Sequence, residues 1–275
     1  MGEKRNCLQK ENKKETPSSL HHYTSLESVA ALFEHPSFQE KEKKLYFTFR
    51  ASNAFCMNDK KEGKLFAEKF FTDSVIKKDF QKEIVDIAKE KGEMYCVSFC
   101  KSDKMTCHSG NIPMWSMYGA NGKGAILVFN YKKMKDFLIS NKIRLCACDY
   151  MKTNELKKCI KEKNKEVRGL NSEKLHKALL DLHEEFFTIK DWHWWYENEW
   201  RILERNPEPK FAINRNAILS YVEIYIPINC LSNIILGPLV DTSIKKWLNK
   251  RILDLKEEDE SIEDIKVKQS KLQMR

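Results

Sequence analysis

Four short stretches carry side chains that packing alone does not require. The sharpest is Glu197-Asn198-Glu199-Trp200-Arg201. Read as a strand, it puts Glu197, Glu199 and Arg201 on one face and Tyr196, Asn198, Trp200 and Ile202 on the other. Carboxylates at i and i+2 stand about 7 Å apart along a strand. An arginine beside them can hold one ionised while the other is tuned for acid–base work or for stabilising a cation. Alternating charge also marks the wet face of a half-exposed strand. The aromatic run just before it, Trp192, Trp194, Trp195 and Tyr196, argues against a fully wet face.

The other three stretches have bland readings beside the chemical ones. In Leu20-His21-His22-Tyr23-Thr24, a histidine at a strand-to-helix junction can bind a ribose hydroxyl or take a proton, or the histidines form a surface pair. Met57-Asn58-Asp59 is explained by Asn58 or Asp59 capping a helix. In Trp115-Ser116-Met117-Tyr118-Gly119, Trp115 and Tyr118 at i, i+3 present two rings with polar tips to one side of a helix. Such rings stack on a planar base or a nicotinamide, or they join a core.

The elements that must position these residues are short and mixed. Ser25 or Thr24 caps a helix over 26–35 that stops at Pro36. Strands are predicted at 44–49, 94–100, 124–129, 143–150, 221–227 and 233–238, with strand character in the second half of 191–205. Helical periodicity runs from about 60 to 91, over 132–140 and from about 153 to 189, and Asp241 caps a further helix before a closing strand. No repeat and no glycine-rich phosphate loop is visible. The reading is an α+β fold with a mixed, largely antiparallel, split β-sheet flanked by helices. Residues 1–19 form a disordered lead, and 20–275 form one domain with a basic helical insertion at about 131–189.

Composition narrows the class. The chain has 275 residues, 41% hydrophobic and 32% charged, with net charge +9. No apolar run reaches the roughly 18–20 residues of a membrane span, and we expect a cytoplasmic protein without membrane attachment. The nine cysteines, an odd number without framework or zinc-knuckle spacing, read as reduced, mostly buried thiols, and no metal is expected. Cys107-His108 beside Cys100 comes nearest to a ligand cluster. Residues 131–177 hold 14 Lys/Arg against 6 Asp/Glu, a basic block that can follow a nucleic-acid backbone or form a solvated helix face.

Taken in order, Leu-x-His-Tyr-Thr (20–24), Met-Asn-Asp (57–59), Val-Ser-Phe (97–99), Trp-x-x-Tyr-Gly (115–119), Glu-x-Glu-Trp-Arg (197–201), Ile-Ile-Leu-Gly-Pro (234–238) and Ser-x-Leu-x-x-Arg (270–275) resemble a widespread bacterial family of unknown function, from Leu20 to Arg275. The arrangement is also remotely similar to the ADP-ribosyltransferase superfamily. That resemblance implies an NAD-consuming enzyme, an ADP-ribosyltransferase or NAD glycohydrolase, of the kind found among toxins and antiphage effectors. It implies His22 and Thr24 on the NAD ribose, Ser98 lining the nicotinamide site, and Trp115 or Tyr118 stacking. Glu199 would be the catalytic carboxylate, with Glu197 positioning the acceptor and Arg201 orienting the glutamates or meeting a phosphate. NAD would be a substrate, and the acceptor a protein or a nucleic acid. A nucleotide-sensing or interaction module of the same fold, and a nucleic-acid-binding protein, are the other readings.

Overall fold

A computed structural model describes residues 16–54, 92–102, 109–167, 170, 172–206, 208–214 and 217–274. Met57-Asn58-Asp59, the helical stripe at 60–91, Cys107-His108 and most of the expected N-terminal lead lie outside them. Local chemistry explains most element boundaries. Ser25, extended, accepts a hydrogen bond from Ser28 N, and Pro36 follows the end of α1 (Leu26–Glu34). Asn111 caps α2 (Ile112–Met117), Asn130 caps α3 (Tyr131–Ser140) and Asp241 caps α6 (Thr242–Glu258). Between α3 and α6 lie α4 (Thr153–Val167) and α5 (Ser172–Phe186).

The strands run β1 (Ser19–Thr24), β2 (Ser37–Gln39), β3 (Lys44–Asn53), β4 (Glu93–Lys101), β5 (Ala125–Asn130), β6 (Arg144–Ala147), β7 (Asp149–Met151), β8 (Ile189–Asp191), β9 (Glu199–Asn206), β10 (Lys210–Asn214), β11 (Ala217–Pro227), β12 (Leu231–Leu236) and β13 (Lys266–Gln269). The fold is mixed α and β, built on a largely antiparallel sheet. The main path is β10-β11-β3-β4-β1-β5-β12-β13, with β9 on β4, β6 on β9 and β2 on β3. Among the described residues only β12 with β13 is parallel in this sheet, and β7 with β8 forms a separate parallel pair. Helices α1, α3 and α6 cover one face, burying Val29, Phe33, Met134, Leu138, Leu248 and Leu255 against sheet residues such as Phe47, Phe99 and Leu127.

The path divides at β4. Along one side β4 pairs with β9 from Glu93 to Cys100. Along the other, among the described residues, β3 takes only Tyr95 and Cys96, and β1 takes only Cys100 and Lys101. Among the described residues no strand partner covers Val97–Phe99 on that side, so the sheet opens into a wedge there.

Three expectations change. The strand at 143–150 breaks at buried Cys148, whose N–H donates to Glu199 O at 2.9 Å, and its two halves enter different sheets. The single helix expected from 153 to 189 is a hairpin of α4 and α5, closed by β7 and β8 around Leu156, Ile160, Leu179, Leu182 and Phe186. The expected insertion at 131–189 is thus not one unit, because α3 packs on the main core and β6 pairs with β9. Among the described residues no helix is long and apolar enough to cross a membrane.

The hairpin is tied to β9 through a buried histidine. His183 Nδ1 accepts from Arg205 Nη2 at 2.7 Å, and the ring packs edge-on against Phe187 at 5.3 Å. Burial, reinforced by the Arg205 charge, lowers the His183 pKa to about 4. A folded-state pKa below the unfolded value of 6.5 means that the unfolded chain takes up the proton first on acidification. Stability is therefore full above pH 6.5 and falls as pH drops toward 4, by on the order of 3 kcal/mol. Denaturant unfolding across this window checks it: His183→Gln should flatten the slope, and an unchanged slope would remove His183 as its source.

Candidate functional site

The wedge in the sheet is the floor of a cleft of about 630 Å³. Its floor is one face of β4, since Cys96, Ser98 and Cys100 point into it while Tyr95 and Phe99 join the helical core. Tyr118 and Met117 at the end of α2 form one wall. Lys190, Trp194 and Glu197 form the other, with Glu199 behind them and Arg50 of β3 at the exposed rim.

His22 fills the split. Its ring lies 5.2 Å from Phe49 and 5.4 Å from Phe99, and Nδ1 is 2.9 Å from Ser98 O. A carbonyl oxygen only accepts, so Nδ1–H donates. The imidazole replaces the strand hydrogen bond that the wedge denies to Ser98. Burial lowers the His22 pKa, against the effect of that bond, and in the neutral ring Nε2 is an acceptor. Ser98 Oγ is buried and has no hydrogen-bond partner among the described residues.

The two glutamates do not share a strand. Glu197 ends a 3-10 turn (Trp192–Glu197) and Glu199 begins β9. Between them Asn198 adopts a left-handed conformation, φ 44°, which asparagine tolerates better than most residues. Its N–H donates to Trp195 O, and its carbonyl accepts from Lys101 N at 2.8 Å. This corner swings both carboxylates onto one ammonium. Lys190 Nζ donates to Glu197 Oε2 and, at 2.7 Å, to Glu199 Oε2. Arg201 Nε and Nη2 grip Glu199 at 2.8 and 2.9 Å, and Arg201 Nη1 donates to Phe187 O. Tyr118 Oη donates to Glu197 Oε1 at 2.7 Å.

All four charges are buried, with relative exposures of 6% for Lys190, 3% for Glu197, 5% for Glu199 and 1% for Arg201. Two cations balance two anions, which is the condition for keeping them ionised away from water. The carboxylates are nevertheless unequal. Burial alone would raise the Glu199 pKa, but Arg201 and Lys190 outweigh it and hold the group at about 2. Burial pushes the Glu197 carboxyl up, opposed by Lys190 and reinforced by the Glu199 charge. Among the described residues Glu199 accepts three side-chain hydrogen bonds and Glu197 two, so Glu197 keeps more lone-pair capacity for a bound molecule.

Of the residues singled out from sequence, His22, Ser98, Tyr118, Glu197 and Glu199 line the cleft. Three do not. Trp115 is fully buried among Tyr23, Met114 and Ile126 with Nε1 donating to Ser109 O, so its ring is core and not a stacking surface. Thr24 ends β1 opposite Ala125, and Ser25, not Thr24, is the helix cap. A Cβ on Gly124 would fall 2.1 Å from Thr24 O, so the chain is tightly packed there, away from the cleft. Arg201 lies behind Glu199 with its guanidinium committed to protein groups, so it orients the glutamate and does not meet a phosphate.

Lys190, Trp194 and Arg50 were not anticipated. One signal pointed to Lys190: two buried carboxylates and a single arginine leave a charge unbalanced, so a second cation was required. Among the described residues no group of three His, Cys, Asp or Glu is placed to hold a metal. Removing the bridging ammonium should be costly. Lys190→Met is expected to lose about 3–5 kcal/mol in denaturant unfolding, and Lys190→Met with Glu197→Gln to recover part of it. A Lys190→Met protein within about 1 kcal/mol of wild type would contradict the network.

No curated protein and no solved structure matches this chain. A family match does exist, over a shorter span than the Leu20–Arg275 outlined by the sequence motifs. It contains Tyr118, Lys190, Glu197, Glu199 and Arg201, and excludes His22 and Ser98. Residues 114–202 match the model of a family described as Protein of unknown function (DUF2971).

Proposed function

We propose that the protein cleaves the nicotinamide–ribose bond of NAD, as an ADP-ribosyltransferase or NAD glycohydrolase. The observation that supports this reading is the convergence of His22, Ser98, Tyr118 and Glu197 on one cleft at the split of an antiparallel sheet. The volume suits a cofactor-sized ligand, and apolar and polar groups alternate around it.

The chemistry follows from the environments. Neutral His22 accepts from a ribose hydroxyl through Nε2, and Ser98 Oγ gives or takes a further hydrogen bond. The Tyr118 ring faces the nicotinamide, and Arg50 at the rim faces the pyrophosphate. When the N-glycosidic bond breaks, its electron pair leaves with nicotinamide and the ribose becomes oxocarbenium-like. An ionised Glu197 beside C1′ stabilises that charge. Water or an acceptor nucleophile then bonds to C1′ and passes its proton to the Glu197 carboxylate. Roles therefore shift from those implied by the resemblance: Glu197 faces the substrate, and Glu199 is the fixed anion that places Lys190.

Nicotinamide release from NAD by the purified chain tests this. Wild-type release should fall on the acid side, with its midpoint above the ordinary glutamate value of 4.5, because the active form of Glu197 is the deprotonated one. Glu197→Gln should lower kcat at least about 100-fold with NAD binding retained. The competing reading is a non-catalytic nucleotide-binding module, favoured by the completeness of the Lys190 network. It requires NAD binding with no nicotinamide release by the wild-type protein.

A further inference from the structure

The 3-10 turn that carries Glu197 has a second side. In this geometry side chains at i and i+3 eclipse one another. Trp194 and Glu197 form one such pair and line the cleft. Trp192 and Trp195 form the next, turned outward and stacked with ring centroids 6.3 Å apart and planes 21° from parallel. They are 42% and 58% exposed, an outlay of apolar surface that the core does not use. Lys152 Nζ lies over the Trp192 ring at 5.1 Å.

Lys152 leads directly into α4. At 100° per residue, Lys157, Lys158, Lys161 and Lys165 fall within about 100° of arc, and all four are exposed. The buried residues Leu156, Cys159, Ile160 and Val167 occupy the opposite side, and Glu155, Glu162 and Glu166 lie along one flank. Lys157 to Lys165 spans about 12 Å. Lys152, the residue before α4, thus brings the start of the lysine-bearing helix against the indole pair.

We propose that Trp192, Trp195 and the α4 lysines form a binding surface for single-stranded nucleic acid. Exposed indole faces stack on bases that are not already paired, and lysines along a helix follow the phosphates. A duplex hides its base faces, and an acidic polypeptide uses the lysines but not the stacked rings. The proposal stands apart from the NAD reading, because it concerns the outward side of the turn.

Fluorescence anisotropy of labelled oligo-dT and oligo-U with the full chain tests it, with a duplex and poly-glutamate as competitors. Single strands should bind, quench indole fluorescence and weaken steeply with salt. Trp195→Ala should cost between about 5- and 150-fold in affinity, the equivalent of one lost base stack, with the salt slope unchanged. Trp195→Phe should restore most of it. Lys157→Glu, Lys161→Glu and Lys165→Glu together should lower the log–log salt slope by about 2. Absence of binding at low salt, equal binding by Trp195→Ala and wild type, or stronger competition by duplex or poly-glutamate would each overturn the proposal. Nicotinamide release measured on the same protein keeps the two readings separable.

Discussion

Two buried carboxylates a single residue apart repel each other and lose their hydration, and the rest of the site is arranged around that cost. Arg201 alone balances one of them. The other charge is met by Lys190, which comes not from β9 but from β8, a three-residue strand paired with β7. The pair β7–β8 also closes the hairpin of α4 and α5. The ammonium therefore reaches the glutamates only when the hairpin is folded and docked. Through this dependence, a segment with its own small core becomes a structural requirement of the cleft.

A second constraint acts from the other side of β4. A sheet that parts leaves backbone carbonyls without strand partners, and a carbonyl shielded from water must find a donor. His22 supplies one for Ser98 by turning its ring into the gap between Phe49 and Phe99. The same bond fixes the tautomer and leaves Nε2 as the acceptor. The wedge thus creates space in the sheet and sets the tautomer of the ring that fills it, so the opening and its polarity have one origin.

How much of this could be read from sequence depends on the range of the interaction. The helix over 26–34, the strands around β4, β5, β11 and β12, and the cap at Asp241 follow from local alternation and capping chemistry. The motif residues His22, Ser98, Tyr118, Glu197 and Glu199 could also be picked out, because each places a polar group where packing has no use for one. What escaped was set by single residues or by distant partners. Asn198 in the left-handed region turns an expected strand into a 3-10 turn and a corner, and alternation cannot signal one residue of positive φ. Trp115 and Tyr118 look equivalent at i, i+3. Only the docking of Tyr23 and Ile126 from β1 and β5 decides that one is core and the other is wall. Lys190 is one lysine among many until two buried carboxylates require it.

The same corner explains why one short turn serves two surfaces. Had residues 192–199 continued as a strand, period-two alternation would have put Trp192 and Trp194 on one face and Trp195, Glu197 and Glu199 on the other. The threefold geometry of the 3-10 turn instead pairs Trp194 with Glu197 and Trp192 with Trp195. The inward pair gains the cleft, where Lys190 Nζ also lies 5.8 Å from the centre of the Trp194 ring. That ring adds its quadrupole to the carboxylates in holding the ammonium. The outward pair gains no burial, and Trp195 has the greater exposure of the two indoles. A turn built only to present a carboxylate would not need two stacked tryptophans on its far side. Their position beside Lys152, the residue before α4, places the indole pair next to the N-terminal end of the lysine-bearing helix.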